Sequence, residues 1–316
     1  MKKAFITGLS GFVGSHLSKH LLEKNFLVSG TYFTEESLAG VGEKDRLELY
    51  QLDLLDEKKT HSILNSVKPD YIFHLAAVSS PRESFKDPKK TFENNITSQI
   101  NLLESVRKLG LIDTRILIVS SAEVYGHVDP KNIPINENTP LNPTNPYAVS
   151  KISQDYLGLQ YFLTNKLKII RVRPFNHVGP GQSPDFVISA FAKKITDIEK
   201  GKEEVMKVGN LTSKRDFTDV RDMVKAYLLA IEKGELGEVY NLGSGKSYFI
   251  SDILEMMKKM AKVEIITEND PDLMLPSDDP ELRCDFTKFH ELTGWKTEIP
   301  IEKTLIDTLD YWRNKN

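Results

Sequence analysis

Four residues carry the chemistry this sequence can be read for. Tyr147 and Lys151 stand four apart in Tyr147-Ala148-Val149-Ser150-Lys151, and Ser121 and Glu123 lie upstream in Ser120-Ser121-Ala122-Glu123-Val124-Tyr125-Gly126. If Tyr147 opens a helix, the spacing stacks Tyr147 and Lys151 on one face. An ammonium beside a phenol favours the phenolate and lowers the phenol pKa, and a phenol tuned in this way can give or take a proton near neutral pH. Ser121, at the end of an apolar strand, could hydrogen-bond the same substrate oxygen, and Glu123 could act as a second acid or base. A Tyr-x-x-x-Lys pair alone is common on helix surfaces. This one gains weight because the Ser-Ser follows the apolar run 116–119 directly and because of how the chain opens.

The elements that must position these groups begin at the N-terminus. A buried strand over residues 3–7 leads into Gly8-Leu9-Ser10-Gly11-Phe12-Val13-Gly14, and residues 15–23 have helical periodicity. Glycines at this junction let the backbone turn tightly and approach a pyrophosphate, which the helix N-terminus then meets with N–H donors. A second strand is expected over 26–32. It ends in Gly30-Thr31-Tyr32-Phe33-Thr34, with neither the acidic residue that would hold a ribose hydroxyl nor the arginine that would hold a 2′-phosphate. Glu35 and Glu36 read as solvated loop charges, so NAD and NADP stay equally open. A third strand over 47–52 ends at Asp53, placed to meet the adenine amino group. Residues 57–67 read as a helix and 71–76 as a strand ending His74-Leu75-Ala76-Ala77, whose small side chains would let a nucleotide pass. A long helix over 92–109 carries Asn95, and a fifth strand spans 115–121. This alternation predicts an α/β fold with a doubly wound parallel sheet of the Rossmann type, its ligands at the carboxyl ends of the strands.

After a helix opened by Tyr147, a strand over 168–173 leads to Pro174-Phe175-Asn176-His177-Val178-Gly179-Pro180-Gly181-Gln182. Helices are expected over 185–200, over 223–233 and from Ser251, and strands over 238–242 and 263–266. The expected division is a dinucleotide-binding Rossmann domain over residues 1–174, to which some later segments return, and a smaller C-terminal α/β substrate lobe over 175–316. His177 reads as a local hydrogen-bonding residue. Arg215 and Arg221 lie among Asp216, Asp219 and Asp222, and a structural ion-pair network is the competing explanation for both.

Composition narrows the class. The 316 residues carry a net charge of −3, which offers nucleic acid no basic face across the whole chain. The one cysteine excludes an internal disulfide and suits a reducing compartment. Met1-Lys2-Lys3 is followed by an apolar run broken at Thr7 and Gly8, and no stretch approaches the ~20 apolar residues of a membrane span. The expectation is a soluble cytoplasmic protein with no nucleic-acid or membrane partner.

Taken together, Gly8-x-x-Gly11-x-x-Gly14, Asp53, His74-Leu75-Ala76-Ala77, Asn95, Ser120-Ser121, Tyr147-x-x-x-Lys151 and Arg173-Pro174-Phe175-Asn176 resemble the extended short-chain dehydrogenases/reductases that act on nucleotide sugars. The stretches 175–183, 208–211 and 214–222 resemble the GDP-sugar branch, which holds GDP-4-dehydro-6-deoxy-D-mannose reductases and GDP-mannose 4,6-dehydratases. The compact length and the Gly11-Phe12-Val13-Gly14-Ser15-His16 loop are more similar to the reductases. The resemblance implies that Tyr147 is the general acid/base at the sugar C4 oxygen, that Lys151 tunes it and holds the nicotinamide ribose, and that Ser121 polarises the carbonyl. Glu123 stands where the dehydratases place a catalytic glutamate. The implied cofactor site comprises Gly8, Gly11, Phe12, Val13, Gly14, Asp53, Leu54, Leu75, Ala76, Ala77, Asn95, Tyr147, Lys151 and Pro174, and no metal. The implied nucleotide-sugar contacts, with GDP favoured, are Ser79, Asn176, Asn210, Arg215 and Asp278. Leu275 replaces the arginine that the family usually carries before a Pro-Ser, and Arg283 is the nearby cation that could substitute. Reductase, dehydratase and epimerase remain open at this stage, as does a non-enzymatic dinucleotide sensor, which typically lacks the reactive tyrosine. A homodimer is expected by the same resemblance.

Overall fold

The computed structural model describes residues 1–274 and 279–315. The N-terminal half alternates β1 (Lys3–Thr7), α1 (Phe12–Glu23), β2 (Leu27–Tyr32), β3 (Leu47–Gln51), α2 (Glu57–Val67) and β4 (Tyr71–His74). It continues with α3 (Pro81–Lys86), α4 (Pro88–Phe92), α5 (Ser98–Lys108), β5 (Arg115–Val119), α6 (Pro146–Asn165) and β6 (Lys168–Pro174). The second half holds β7 (Asn176–Val178), α7 (Val187–Glu199), β8 (Val205–Val208), β9 (Lys214–Asp219), α8 (Val220–Lys233) and β10 (Val239–Leu242). Last come β11 (Ser247–Phe249), α9 (Ile250–Lys259), β12 (Ile266–Asn269), β13 (Glu281–Leu282), α10 (Thr287–Thr293) and α11 (Ile301–Asn314).

Seven parallel strands form the main sheet in the order β10-β6-β5-β4-β1-β2-β3. Strands buried on both faces need helices on both sides. α1 and α8 cover one face through Leu17, Leu21, Met223 and Tyr227. α2, α5 and α6 cover the other through Ile63, Leu64, Leu102, Val106 and Tyr161. The chain builds outward from β1 to β3 and then crosses back to start β4 on the other side of β1, so the crevice where such folds bind ligands opens between β1 and β4.

Glycine is required where β1 turns into α1. Gly8 has φ +71°, and a Cβ on Gly14 would lie 2.3 Å from the Gly8 carbonyl oxygen. No side chain larger than hydrogen lets the strand and the helix approach this closely.

A second, four-stranded sheet is organised on β9, which pairs with β7 and β13 in parallel and with β11 antiparallel. β8 and β12 form a separate parallel pair. Phe191, Ile195, Ile253, Met257, Leu305 and Trp312 bring α7, α9 and α11 onto one apolar core here. α8 and β10 return to the main sheet.

Several expected boundaries move. The strand expected over 263–266 is β12, at Ile266–Asn269. The helix expected over 92–109 runs from Pro88 through a π turn, Glu93–Thr97, into α5. Wide turns of this kind insert one residue per turn and leave no mark on a 3.6-residue pattern. Glu35 and Glu36 begin an exposed 3-10 turn, Glu35–Gly40.

Candidate active site

The catalytic candidates converge because three element ends meet at the carboxyl edge of the sheet. α6 starts at Pro146, and its cap residue, Asn145, accepts a hydrogen bond from the Ala148 N–H at 2.7 Å. Proline is tolerated in the first turn, where its missing N–H has no intrahelical partner. Tyr147 is thereby fixed in the first turn, 8% exposed, with Lys151 one turn on and 5% exposed. Ser121 follows β5 and caps the 3-10 turn Ala122–Tyr125, its Oγ accepting from the Glu123 N–H at 3.2 Å. Ser121 lies close enough to the Tyr147 hydroxyl to favour its ionised form. Glu123 is half-buried and accepts from Asn145 Nδ2 at 3.2 Å.

The electrostatics differ from the sequence expectation. Burial pushes the Tyr147 phenol well above its ordinary value; the Ser121 hydrogen bond opposes this and the Glu123 charge adds to it. Lys151 donates to the Val119 carbonyl at 2.6 Å and to Gln154 Oε1 at 2.8 Å. Burial draws its pKa down to about 7, against the pull of Asp155. The phenol is thus governed by burial and not lowered by Lys151 as expected, because desolvation penalises its charged form. The protonated phenol is the dominant form.

The cofactor candidates are spread along the carboxyl edge of the sheet, with the glycine turn after β1 and residues 75–77 after β4 flanking the crevice between those strands. Gly11 is the exposed cap of α1 and offers no side-chain acceptor, and Phe12, Val13 and Gly14 form the first turn. The leading N–H groups of that helix are thus free of any side-chain cap, which suits a pyrophosphate. A Cβ on Gly8 would come within 3.1 Å of the Ala76 backbone, so Leu75, Ala76 and Ala77 lie against the glycine turn. Thr7 Oγ1 accepts from the N–H groups of Leu75 and Ala76 at 3.1 and 3.2 Å. Asp53 is exposed beside buried Leu54, whose carbonyl accepts from Asn101 Nδ2 at 2.8 Å. Asn95, carried inward by the π turn, bonds both backbone groups of Val78 and donates to Ser150 Oγ at 2.9 Å. Pro174 closes β6 at the same edge. The cradle fits a dinucleotide.

The substrate candidates are more dispersed. Asn176 is in β7, paired with Phe217 of β9. Arg215, in β9, donates to the carbonyls of Lys214 and Asp279 at 2.9 and 2.7 Å. Asn210 accepts from the Thr212 N–H and hydroxyl, both at 2.8 Å. Ser79 is exposed next to Ser80, the cap of α3. Asp278 and Leu275 lie outside the described residues. Arg283 pairs with Glu281 at 3.4 Å. Arg221 forks onto Asp219 and also pairs with Asp307, both at 2.7–2.8 Å, so the structural account holds for it. His177 contacts the Phe175 carbonyl at 3.3 Å and stacks on Phe12, with ring centroids 6.1 Å apart. His16 meets the Pro180 carbonyl at 2.8 Å, which ties α1 to the loop after β7.

Sequence reasoning missed Asp155. This carboxylate is fully buried and takes ion pairs from Arg171 at 2.5 Å and Arg173 at 2.7 Å. The available signal was a pair of arginines two apart in the apolar strand 168–174, which must face a buried acid.

A doubly wound sheet with Ser121, Tyr147 and Lys151 at its carboxyl edge defines a short-chain dehydrogenase/reductase of the extended class. The chain belongs to the family described as GDP-mannose 4,6 dehydratase, whose model matches residues 5–308, within the NAD-dependent epimerases and dehydratases. It is 35% identical to the GDP-6-deoxy-D-mannose reductase of Pseudomonas aeruginosa over 99% of this chain and 98% of that one. It is 28% identical to the GDP-mannose 4,6-dehydratase of Yersinia enterocolitica over 96% and 91% of the two chains. Among solved structures, RMD from Pseudomonas aeruginosa complexed with NADPH superimposes with a TM-score of 0.85 at 34% identity, covering 99% of both chains. A Thermus thermophilus UDP-glucose 4-epimerase complexed with NAD gives a TM-score of 0.87 at 25% identity, also over 99% of both. Among the described residues no helix is long and apolar enough to cross a membrane.

Proposed function

We propose that this protein is a nucleotide-sugar 4-ketoreductase that uses NAD(P)H, with GDP-4-dehydro-6-deoxy-D-mannose as substrate and GDP-D-rhamnose as product. The observation that carries this reading is the buried Tyr147–Ser121 pair, whose phenol burial holds in its protonated form. Reducing a ketone calls for a proton donor at the developing alkoxide, and a buried protonated phenol is one. NAD(P)H, when bound in the cradle between β1 and β4, supplies the hydride. Ser121 donates a hydrogen bond to the C4 carbonyl, Tyr147 delivers the proton to that oxygen, and Lys151 places positive charge beside both and holds the nicotinamide ribose. Gly8, Gly11, Phe12, Val13 and Gly14 hold the pyrophosphate, Asp53 and Leu54 the adenine, and Leu75, Ala76, Ala77, Asn95 and Pro174 the inner walls. Asn176, Asn210 and Arg215, with Ser79 and Asp278, hold the sugar nucleotide. The coverage and identity to the Pseudomonas reductase support the same reaction. We further propose that the protein works as a homodimer in the cytoplasm, with residues 175–316 forming most of the substrate lobe.

One observation favours a second reading. Glu123 is close enough to Tyr147 for its charge to act on the phenol. In a 4,6-dehydratase, a carboxylate so placed would take the C5 proton and help expel the C6 hydroxyl. The deciding experiment supplies GDP-mannose alone and, separately, its 4-keto-6-deoxy derivative with reduced cofactor. The reductase consumes the near-ultraviolet absorbance of the reduced nicotinamide in step with the keto sugar and leaves GDP-mannose untouched. Formation of a 4-keto product from GDP-mannose with no net change in cofactor would overturn the reading in favour of the dehydratase.

The choice of GDP is tested by thermal shift. GDP should raise the melting midpoint more than UDP, dTDP or CDP at equal concentration, because ligand bound only to the folded state stabilises it. A larger shift with UDP or dTDP would reassign the nucleotide.

A further inference from the structure

Behind Lys151 runs a chain of buried polar groups that the reaction above does not use. Lys151, Gln154, His74 and Thr7 are 5%, 1%, 2% and 0% exposed and come from α6, β4 and β1. Lys151 Nζ donates to Gln154 Oε1 at 2.8 Å, Gln154 Nε2 lies 3.4 Å from His74 Nε2, and His74 Nδ1 lies 2.9 Å from Thr7 Oγ1. The chemistry of the ammonium fixes the sense of the first link. An ammonium has only donors, so the amide oxygen must face it and the amide nitrogen must face the ring. His74 presents Nε2 to the amide and Nδ1 to the Thr7 hydroxyl, which already accepts from the Leu75 and Ala76 N–H groups, and the sense of both ring contacts turns on the imidazole tautomer. The ring is held neutral, its pKa drawn down to about 3 by burial and then by the Lys151 charge.

We infer that Gln154 and His74 are positioning residues for Lys151: the Gln154 carbonyl, held in orientation by His74 and Thr7, sets where the ammonium sits and how firmly it keeps its proton. This rests on the proposed role of Lys151 at the nicotinamide ribose and Tyr147. Two of the three ammonium N–H groups are taken by Val119 and Gln154. The third is thereby directed. Other titratable and charged groups around the lysine are Tyr147 and Asp155 on its own helix, His74 from β4 and, beyond Tyr147, Glu123. Arg171 and Arg173 of β6 both engage Asp155, while the neutral amide of Gln154 bonds the ammonium directly. Because Thr7 also holds the backbone of Leu75 and Ala76, one network joins the wall of the cofactor crevice to the lysine.

The test needs no substrate in its first arm. Protein labelled with 13Cε-lysine is titrated by NMR, and the Lys151 resonance is identified as the one lost in Lys151→Met. The wild-type midpoint should lie near neutrality. Gln154→Leu, which removes the acceptor, should lower it by roughly one pH unit, and Gln154→Glu, close to isosteric, should raise it by at least as much. In the second arm, Gln154→Leu should lower kcat at least tenfold with KM for the sugar nucleotide little changed, and Gln154→Glu should recover most of the loss. A Lys151 midpoint that is the same in all three proteins overturns the inference. So does an equal loss of kcat in both variants accompanied by lower melting temperatures. If the wild type reduces no keto sugar, the proposed reaction fails, and the titration still decides the role of Gln154.

Discussion

Tyr147→Phe should lose turnover by roughly 10²–10⁴-fold while binding reduced cofactor with little change. The ring fills the same pocket, so packing around residue 147 survives; only the hydroxyl beside Ser121 is lost. Stopped-flow reduction of the keto sugar together with calorimetric titration of the cofactor separates the two effects. Full activity in the variant would remove Tyr147 from the chemistry. A parallel loss of cofactor affinity would instead assign the residue to binding. A non-enzymatic dinucleotide sensor on this fold predicts neither a rate to lose nor a reason for Ser121 to meet this phenol.

Asp155→Ala should be the most destabilising single change near the site. Asp155 is 0% exposed and is the shared partner of two arginines that are themselves 6% and 3% exposed. Removing one member of a buried ion network leaves uncompensated charge in a poor solvent, at a cost of about 3–5 kcal/mol. The loss should appear as a lower denaturant midpoint. Asp155→Asn, which keeps an acceptor, should lose less. Lys151 should respond as well, since Asp155 opposes the burial that lowers its pKa. Wild-type stability in Asp155→Ala would mean that water or other acceptors take over both guanidinium groups.

The parts of this protein that were legible in its sequence share one property: they are local. The glycine turn shows because Gly8 and Gly14 answer steric demands within seven residues of each other. Tyr147 and Lys151 show because one helical turn sets their separation, and the strand-helix alternation shows because its apolar runs are continuous. What stayed hidden depends on distant partners. The parallel pairing of β7 with β9 joins residue 176 to residue 217. The π turn that delivers Asn95 is selected by its contacts with Val78 and Ser150. The rise in the Tyr147 pKa is a property of the closed pocket, and adjacency to Lys151 alone pointed the opposite way. Gln154 reads in sequence as an ordinary helical glutamine, and only the approach of His74 from β4 gives it a task.

The place of β10 has a consequence for synthesis on the ribosome. β6, ending at Pro174, gains its outer neighbour only when residues 239–242 pair with it. A nascent chain emerging at about 5–20 residues per second therefore carries an open strand edge for several seconds while the intervening residues are made. Unpaired edges of this kind invite pairing with other chains. During that interval the buried Ile169, Ile170 and Val172 of β6 are a stretch that a chaperone would shield.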